Sequence, residues 1–199
     1  MNRFMLASLL LVPSLAVMAE SSPITPLHGY VSIPASRAFL CSQGINSDCG
    51  QVKYEPQSVE GPKGFPDRGP KDGKIASGEN PNFPQLNEQS VDRWHHVDLN
   101  AADTTFTWTL TAPHRTTSWK FFITKPDWNP EKPLTRADFI LTPFCERFDE
   151  GAMPKNKVEI DCNIPTRTGY HIILGAWDIA DTGNAFYQVI DANITAKRD

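Results

Sequence analysis

Histidine is the side chain in this sequence best suited to metal chemistry, and there are only five of them. His28 stands in the stretch PLHGYVSIP, and the question it raises is whether the mature chain begins there. His114, in TAPHRTTS, lies in a turn between two strand-like segments, which predicts an exposed loop tip. His95 and His96 are adjacent, so on an extended chain they point to opposite faces and are poorly placed to share one ion. We interpret these two as surface residues and His171 as a hydrogen-bonded histidine within a strand.

Other catalytic patterns are few. The sequence contains no HExxH, paired CxxC, phosphate-binding glycine-rich loop or GxSxG motif. Glu55, Glu60, Asp178 and Asp181 could supply the carboxylate pair of a glycosidase. Their separation cannot be read from the sequence, so for most of them a solvated surface acid is the better interpretation, and a carboxylate hydrolase is a weak alternative.

The start of the sequence is typical of an exported protein. Arg3 precedes an apolar run over residues 4–18 that ends in the small-residue pattern Val17-Met18-Ala19, which predicts a signal peptide over residues 1–19. No later segment approaches the ~18 apolar residues of a membrane-spanning helix. We therefore expect a secreted, extracellular protein with no membrane partner and one domain over residues 28–199.

The net charge argues against one class of partner, and the cysteine content agrees with export. The net charge of -4 offers nothing that attracts a phosphate backbone, so we expect no nucleic-acid partner. Four cysteines in an exported chain predict two disulfides, for which three pairings are possible. The spacing favours the local pairing of Cys41 with Cys49 and of Cys145 with Cys162.

The elements that must position these side chains are strands. Thr104 to Ala112, TTFTWTLTA, places Phe106, Trp108 and Leu110 on one face and threonines on the other. Similar patterns predict strands from Thr117, Asp138, Lys157, Tyr170 and Ala185. Short strands separated by turn signals indicate an all-β antiparallel sandwich.

A long region between the first strands has a different composition. Residues 50–84 contain six glycines and six prolines and show no sustained period, which predicts loop with short helical turns. Tyr54, Phe65 and Phe83 in this region argue against simple disorder.

Several longer motifs carry a family resemblance: HGYVSIPASRAFLC, YEPQSVEGPKGFP, TTSWKFFITKPDWNP, PLTRADFILTPFC and WDIADTGNAFYQVIDANI. Together they resemble the bacterial chitin-binding proteins classed as copper-dependent lytic polysaccharide monooxygenases, from His28 to about Ala196. The resemblance implies an immunoglobulin- or fibronectin III-like β-sandwich with a loop and short-helix region inserted between the first strands. It also implies the local cysteine pairing and places the three tryptophans Trp108, Trp119 and Trp177 in the core.

The resemblance further implies one copper ion. It would be held by His28, through both its ring and its α-amino nitrogen, and by His114. Three nitrogens with open positions suit Cu(II), and a free α-amine can lose its proton near neutral pH, whereas an amide nitrogen offers no comparable lone pair. By the same resemblance Phe186 and Ala112 flank the metal, and Glu60 is the acid near its open position.

The remaining implications concern the substrate. Crystalline chitin would lie on a flat protein face with one aromatic residue and several hydrogen-bonding groups. The residues matched to that face are Tyr54, Glu55, Glu60, Thr111, Asp181 and Asn184. The implied activity is oxidative cleavage of chitin at C1 by a monomer that uses an external electron donor and O2 or H2O2.

The leader departs from the family pattern. A cut after Ala19 would leave residues 20–27 ahead of His28, where the family has the histidine itself at the terminus. We expect these eight residues to be removed as well, because His114, Ala112, Glu60 and Phe186 are all present. If they stay, the alternative is a non-catalytic chitin-binding or adhesion protein.

Overall fold

The computed structural model describes residues 28–196, and nine strands within that range form two sheets. The predicted signal peptide and the eight residues that we expect to be trimmed lie outside the described residues. The strands are β1 (Gly29–Ile33), β2 (Glu60–Pro62), β3 (Val97–Asn100), β4 (Asp103–Leu110), β5 (Thr116–Ile123), β6 (Cys145–Ala152), β7 (Lys157–Asn163), β8 (Gly169–Ile179) and β9 (Asn184–Thr195). One α-helix, α1 (Arg37–Ser42), and short 3-10 helices at Gly50–Tyr54, Pro56–Ser58, Pro84–Asn87 and Arg136–Asp138 complete the described elements.

The smaller sheet has the order β1-β4-β7, and the larger has the order β2-β9-β8-β5-β6. The predicted all-β sandwich is confirmed, with one departure from purely antiparallel pairing. Strand β3 runs parallel to β9 and pairs with its end, from Ala192 to Thr195, whereas β2 pairs antiparallel with its beginning. One edge of β9 therefore carries two short strands at opposite ends.

The core between the sheets is rich in tryptophan. The apolar face of β4, predicted from its alternation, is buried through Phe106, Trp108 and Leu110. Trp119 on β5 and Trp177 on β8 stack with ring centroids 4.9 Å apart and an interplanar angle of 8°. All three tryptophans are fully buried, as expected, and their large apolar area stabilises the packing of the two sheets.

Strands β8 and β9 are buried on both faces. Their inward residues pack in the sandwich, and the alternate residues pack beneath the long region, where Phe65 and Phe83 are buried. Burial on both sides explains why these strands read as nearly continuous apolar runs. The glycine- and proline-rich region is thus a packed layer with short helical turns, as predicted, and it also contains the unpredicted strand β2.

The strand predicted from Asp138 is wrong. Phe139 is buried and forms one isolated bridge with Thr124, but Ile140 and Leu141 that follow are exposed. The strand in this part of the chain is β6, whose half-buried face includes Arg147 and whose exposed face includes Phe148. Charged residues on the inner face leave β6 without an apolar alternation, so the apolar residues just before it gave the stronger signal.

A buried ion pair joins helix α1 to strand β9. Arg37 donates from Nη2 to Asp191 Oδ1 at 2.6 Å and from Nε to Oδ2 at 2.9 Å. Arg37 also donates to the Leu86 carbonyl, and the Tyr170 hydroxyl donates to Asp191 Oδ1 at 2.6 Å. Both charged groups are buried and are hydrogen-bonded to each other. Because Arg37 also binds the Leu86 carbonyl, the pair fixes the position of the long region on the sheet.

Two disulfides have the local pairing that the spacing favours, Cys41–Cys49 and Cys145–Cys162. The first closes the loop after α1, and the second joins β6 to β7, one strand from each sheet. No helix within residues 28–196 is long and apolar enough to span a membrane.

Candidate metal centre

His28 lies at the edge of the smaller sheet, immediately before β1. Because Gly29 pairs with Leu110 on β4, His28 comes opposite the residues that follow β4. Its carbonyl accepts hydrogen bonds from the backbone nitrogens of Thr111 at 2.8 Å and Ala112 at 3.1 Å, and its own nitrogen donates to the Ala112 carbonyl at 3.1 Å. These bonds hold His28 against the β4–β5 turn.

That turn contains His114, which is only 8% exposed and so is not the exposed loop tip predicted from the sequence. Its ring centroid lies 5.9 Å from that of Trp177 and 6.0 Å from that of Phe186. The ring of His28 meets the same Phe186 edge-on at 5.8 Å. The structure therefore brings the two histidines, which are 86 positions apart in the sequence, into contact with one buried phenylalanine. Ala112, two residues before His114, is also buried.

The chemistry of His28 fits a metal ligand. Its Nδ1 is buried and has no hydrogen-bond partner among residues 28–196, an unusual state for a buried polar atom. Burial lowers the pKa of the imidazole, although the carboxylates of Glu60 and Glu55 act to raise it; nearby His114 lowers it further. A neutral ring with an unpartnered nitrogen is ready to donate a lone pair to a metal.

The donor set itself favours copper over a carboxylate-bound ion. Within the described range, no group of three or more His, Cys, Asp or Glu side chains is placed to hold a metal ion. Two imidazoles and a third nitrogen from an α-amine at residue 28 would make an all-nitrogen set, which suits Cu(II). Nδ1 is the ring nitrogen nearer the α-nitrogen, so both can reach one ion from the same residue.

Glu60 lies on β2, next to Phe186 on β9 in the sheet register. Its Oε1 accepts a hydrogen bond from Asn184 Nδ2 at 2.7 Å. The neighbouring Gly61 has no space for a side chain, because a Cβ there would lie 1.7 Å from the Gly78 carbonyl oxygen. This close backbone contact fixes β2 and with it the position of the Glu60 carboxylate.

Lys63 was not identified from the sequence, which carries no signal for its role. Its ammonium group donates to the carbonyl of Ile179 at 2.8 Å and to that of Thr182, and its backbone nitrogen donates to Gly183 at 3.0 Å. These bonds hold the β8–β9 turn, which contains Asp181.

The other residues matched to a substrate face lie around the two histidines. Tyr54 is 72% exposed, and Glu55 beside it is close enough to influence the pKa of His28. The Thr111 hydroxyl donates to the His28 carbonyl at 3.1 Å, and Asp181 Oδ1 is 4.0 Å from His114 Nδ1. All of the sequence-predicted site residues therefore belong to one region of the molecule.

Asp178 does not belong with the surface acids, and its interpretation as one is wrong. It is buried on β8, where Oδ2 accepts hydrogen bonds from Ser118 Oγ at 3.1 Å and from Lys120 Nζ at 3.3 Å. Lys120 on β5 compensates its charge, and Ser118 on the same strand supplies a further hydrogen bond. The sequence pattern does not reveal these cross-strand contacts.

Comparison with known proteins agrees with this geometry. Residues 28–192 match the family described as lytic polysaccharide mono-oxygenase, cellulose-degrading. GlcNAc-binding protein A of Vibrio vulnificus is 49% identical over 174 residues, which are 82% of this chain and 36% of that protein. The chain thus spans little more than a third of the length of this curated relative.

Solved structures match over nearly their whole length. An AA10 lytic polysaccharide monooxygenase from Photorhabdus luminescens is 50% identical with a TM-score of 0.83, covering 85% of this chain and 100% of the other. A CBM33 protein from Bacillus amyloliquefaciens in complex with Cu(I) is 42% identical with a TM-score of 0.77, covering 84% and 100%. This chain belongs to the AA10 family of lytic polysaccharide monooxygenases.

Proposed function

We propose that this protein is a secreted, copper-dependent monooxygenase that binds crystalline chitin and cleaves it by oxidation at C1. The observation that carries the proposal is the approach of His28 and His114 to Phe186, with the His28 Nδ1 left unpartnered. The family membership and the copper complex of the Bacillus amyloliquefaciens relative support the same conclusion.

His28 and His114 would hold one copper ion. When bound, copper supplies one-electron chemistry that, with an external reductant and O2 or H2O2, replaces a hydrogen on C1 by oxygen and so breaks the glycosidic bond. Phe186 and Ala112, both buried, exclude water from the side of the site that they cover. The Glu60 carboxylate, which accepts a hydrogen bond from Asn184, would accept or donate a proton or orient a small co-substrate.

The substrate would lie across the exposed residues around the histidines. Tyr54 offers an aromatic surface for a sugar ring, and Glu55, Thr111, Asp181 and Asn184 offer hydrogen-bonding groups. Chitin is favoured over cellulose because the Vibrio vulnificus relative is named as a GlcNAc-binding protein, even though the family description names cellulose.

The proposal requires processing of the chain to begin at His28. The signal peptide over residues 1–19 and the eight residues after it would both be removed, which frees the α-amine. The intact mass of the exported protein tests this requirement: it should correspond to a chain starting at His28, and a mass that includes Glu20 would contradict it.

Product analysis tests the activity. Protein with a verified His28 terminus, loaded with copper and supplied with ascorbate and H2O2, should release aldonic-acid oligosaccharides from β-chitin. The His114→Ala variant should release none under the same conditions. Absence of oxidised products from the unaltered protein would refute the enzymatic function.

Non-catalytic chitin binding or adhesion is the second candidate, favoured by the binding-protein name of the relatives. It predicts tight association with chitin, no oxidised products and no dependence on copper. A carboxylate hydrolase would instead release unoxidised oligosaccharides in metal-free buffer.

A further inference from the structure

A polar groove lies beside Tyr54, on the side of the long region. Its volume is about 510 Å3, and its lining includes Gln51 and Lys53 from the first 3-10 helix and Asn82 and Gln85 from the segment around the third. Tyr54 also lines it, so the groove is continuous with the proposed substrate face. The size falls in the range of pockets that hold small organic ligands.

The groove carries amide groups that form no hydrogen bond to other described groups of the protein. Within residues 28–196 the side chains of Gln51 and Asn82 form no hydrogen bond, and Gln85 Oε1 is buried without a partner. A buried amide oxygen without a partner is uncommon in folded proteins. The exposed carboxamides of Gln51 and Asn82 each offer both a donor and an acceptor, so the groove is equipped for a ligand that needs both.

The backbone holds this arrangement in place. Gly50 has a φ of +64°, and a Cβ there would lie 2.5 Å from Gln85 Oε1, so the carboxamide rests directly against the glycine. The disulfide Cys41–Cys49 fixes the preceding residue. The Lys53 ammonium lies 4.7 Å from the Tyr54 ring centroid, which orients the ring by a cation–π interaction.

The ligand chemistry follows from these groups. An aromatic ring accepts the apolar face of a sugar, and carboxamides pair with an acetamido group, which has one N–H donor and one carbonyl acceptor. We propose that this groove is an additional subsite for N-acetylglucosamine units of chitin, extending the substrate face beyond Tyr54. The inference rests on the proposed function in that chitin is the polymer bound.

The same groups discriminate against related polymers. Cellulose has no acetamido group and offers the carboxamides only hydroxyl groups, so it lacks the amide pairing that an acetylated sugar provides. Deacetylated units carry an ammonium group, which the Lys53 charge would repel. The groove should therefore select acetylated sugars.

Side-chain amide NMR signals test the subsite directly on metal-free protein that begins at His28. Titration with N-acetylchitohexaose should shift the NH2 resonances of Gln51, Asn82 and Gln85, whereas cellohexaose and fully deacetylated chitosan hexaose should not. The NH2 signal of Gln43, an exposed amide that does not line the groove, serves as the control. Unchanged groove signals at chitohexaose concentrations that shift Tyr54 would overturn the inference.

A variant measures the contribution to binding. Replacing the three carboxamides together, Gln51→Met with Asn82→Leu and Gln85→Met, should weaken binding to β-chitin about tenfold, as expected for the loss of a few hydrogen bonds. Gln43→Met should change nothing. Unaltered chitin binding by the triple variant would refute the subsite; absence of oxidised products from the unaltered protein would refute only the monooxygenase function. If the triple variant does not fold, the titration of the unaltered protein decides.

Discussion

Asn184 donates a hydrogen bond to Glu60 across neighbouring strands, with 2.7 Å between Nδ2 and Oε1. Glu60 is paired in register with Phe186, the residue that both candidate copper ligands contact. Strand β9 therefore supplies both Phe186, the apolar wall of the candidate site, and Asn184, which orients the Glu60 carboxylate. The pairing of the short strand β2 with the beginning of β9 thus brings Glu60 beside the candidate site.

Substitution of Glu60 tests the role of this acid. Glu60→Gln keeps an oxygen that accepts from Asn184 but removes the charge and the exchangeable proton. We expect copper binding and folding to persist and the rate of oxidised-product release to fall about 10- to 100-fold. The measurement is the initial rate on β-chitin with fixed reductant and H2O2.

A matched control exists at the far end of the same strand. Asn193 donates to Asp98 at 2.8 Å between β9 and β3, the same pair of groups in the same kind of cross-strand contact. Asp98→Asn should leave the rate unchanged. A Glu60→Gln variant as fast as the Asp98→Asn variant would remove Glu60 from the mechanism.

The Arg37–Asp191 pair should dominate the electrostatic contribution to stability. Its side chains are 1% and 0% exposed, so Arg37→Met would leave the Asp191 charge buried without compensation. The free energy of unfolding in urea should fall by about 3–5 kcal/mol. Lys157→Met, which breaks the exposed pair with Glu159, should cost less than about 1 kcal/mol; equal losses would show that burial of the first pair is unimportant.

His171 predicts a pH dependence of stability. Its ring is buried beside the Thr124 hydroxyl, 2.9 Å from Nδ1, and burial together with the charge of Arg167 lowers its pKa, against an opposing hydrogen bond to the Thr168 backbone. The unfolded chain takes up a proton near its ordinary pKa of about 6.5, before the folded protein does. The free energy of unfolding should therefore decrease as the pH falls from 7 through 6.5 to the lowered pKa.

The His171→Asn variant isolates this effect. Other histidines, His28 included, contribute equally to both proteins, so the difference between the two unfolding curves at each pH reports on residue 171. The variant should lose less stability than the unaltered protein between pH 7 and pH 5. Parallel pH profiles would contradict the assignment.

The sequence predicts those strands in which the burial of the side chains follows a regular pattern along the chain. β4 alternates because one face is buried, and β8 and β9 are apolar throughout because both faces are buried. The sequence does not predict β6, because Arg147 and Asp149 occupy its inner face, where they pair with each other. Strands β1, β2 and β3 are short, and their pairing with distant segments gives them no local pattern.

The site could be predicted only through the family motifs. Nothing near His28 or His114 in the sequence indicates that they meet, because their approach depends on the pairing of Gly29 with Leu110 and on Phe186 from β9. The burial of His114 depends on Trp177 in the same way. Lys63 acts through backbone carbonyls, which no residue pattern encodes.

The central claim is that copper is held by His28 at a free chain terminus together with His114. Calorimetric titration of Cu(II) into two purified forms, one beginning at His28 and one at Glu20, tests it most directly. We predict one tight site in the His28 form and affinity weaker by at least about 100-fold, or roughly 2.7 kcal/mol, in the Glu20 form, since an amide replaces the α-amine. Equal affinity of the two forms would contradict the account.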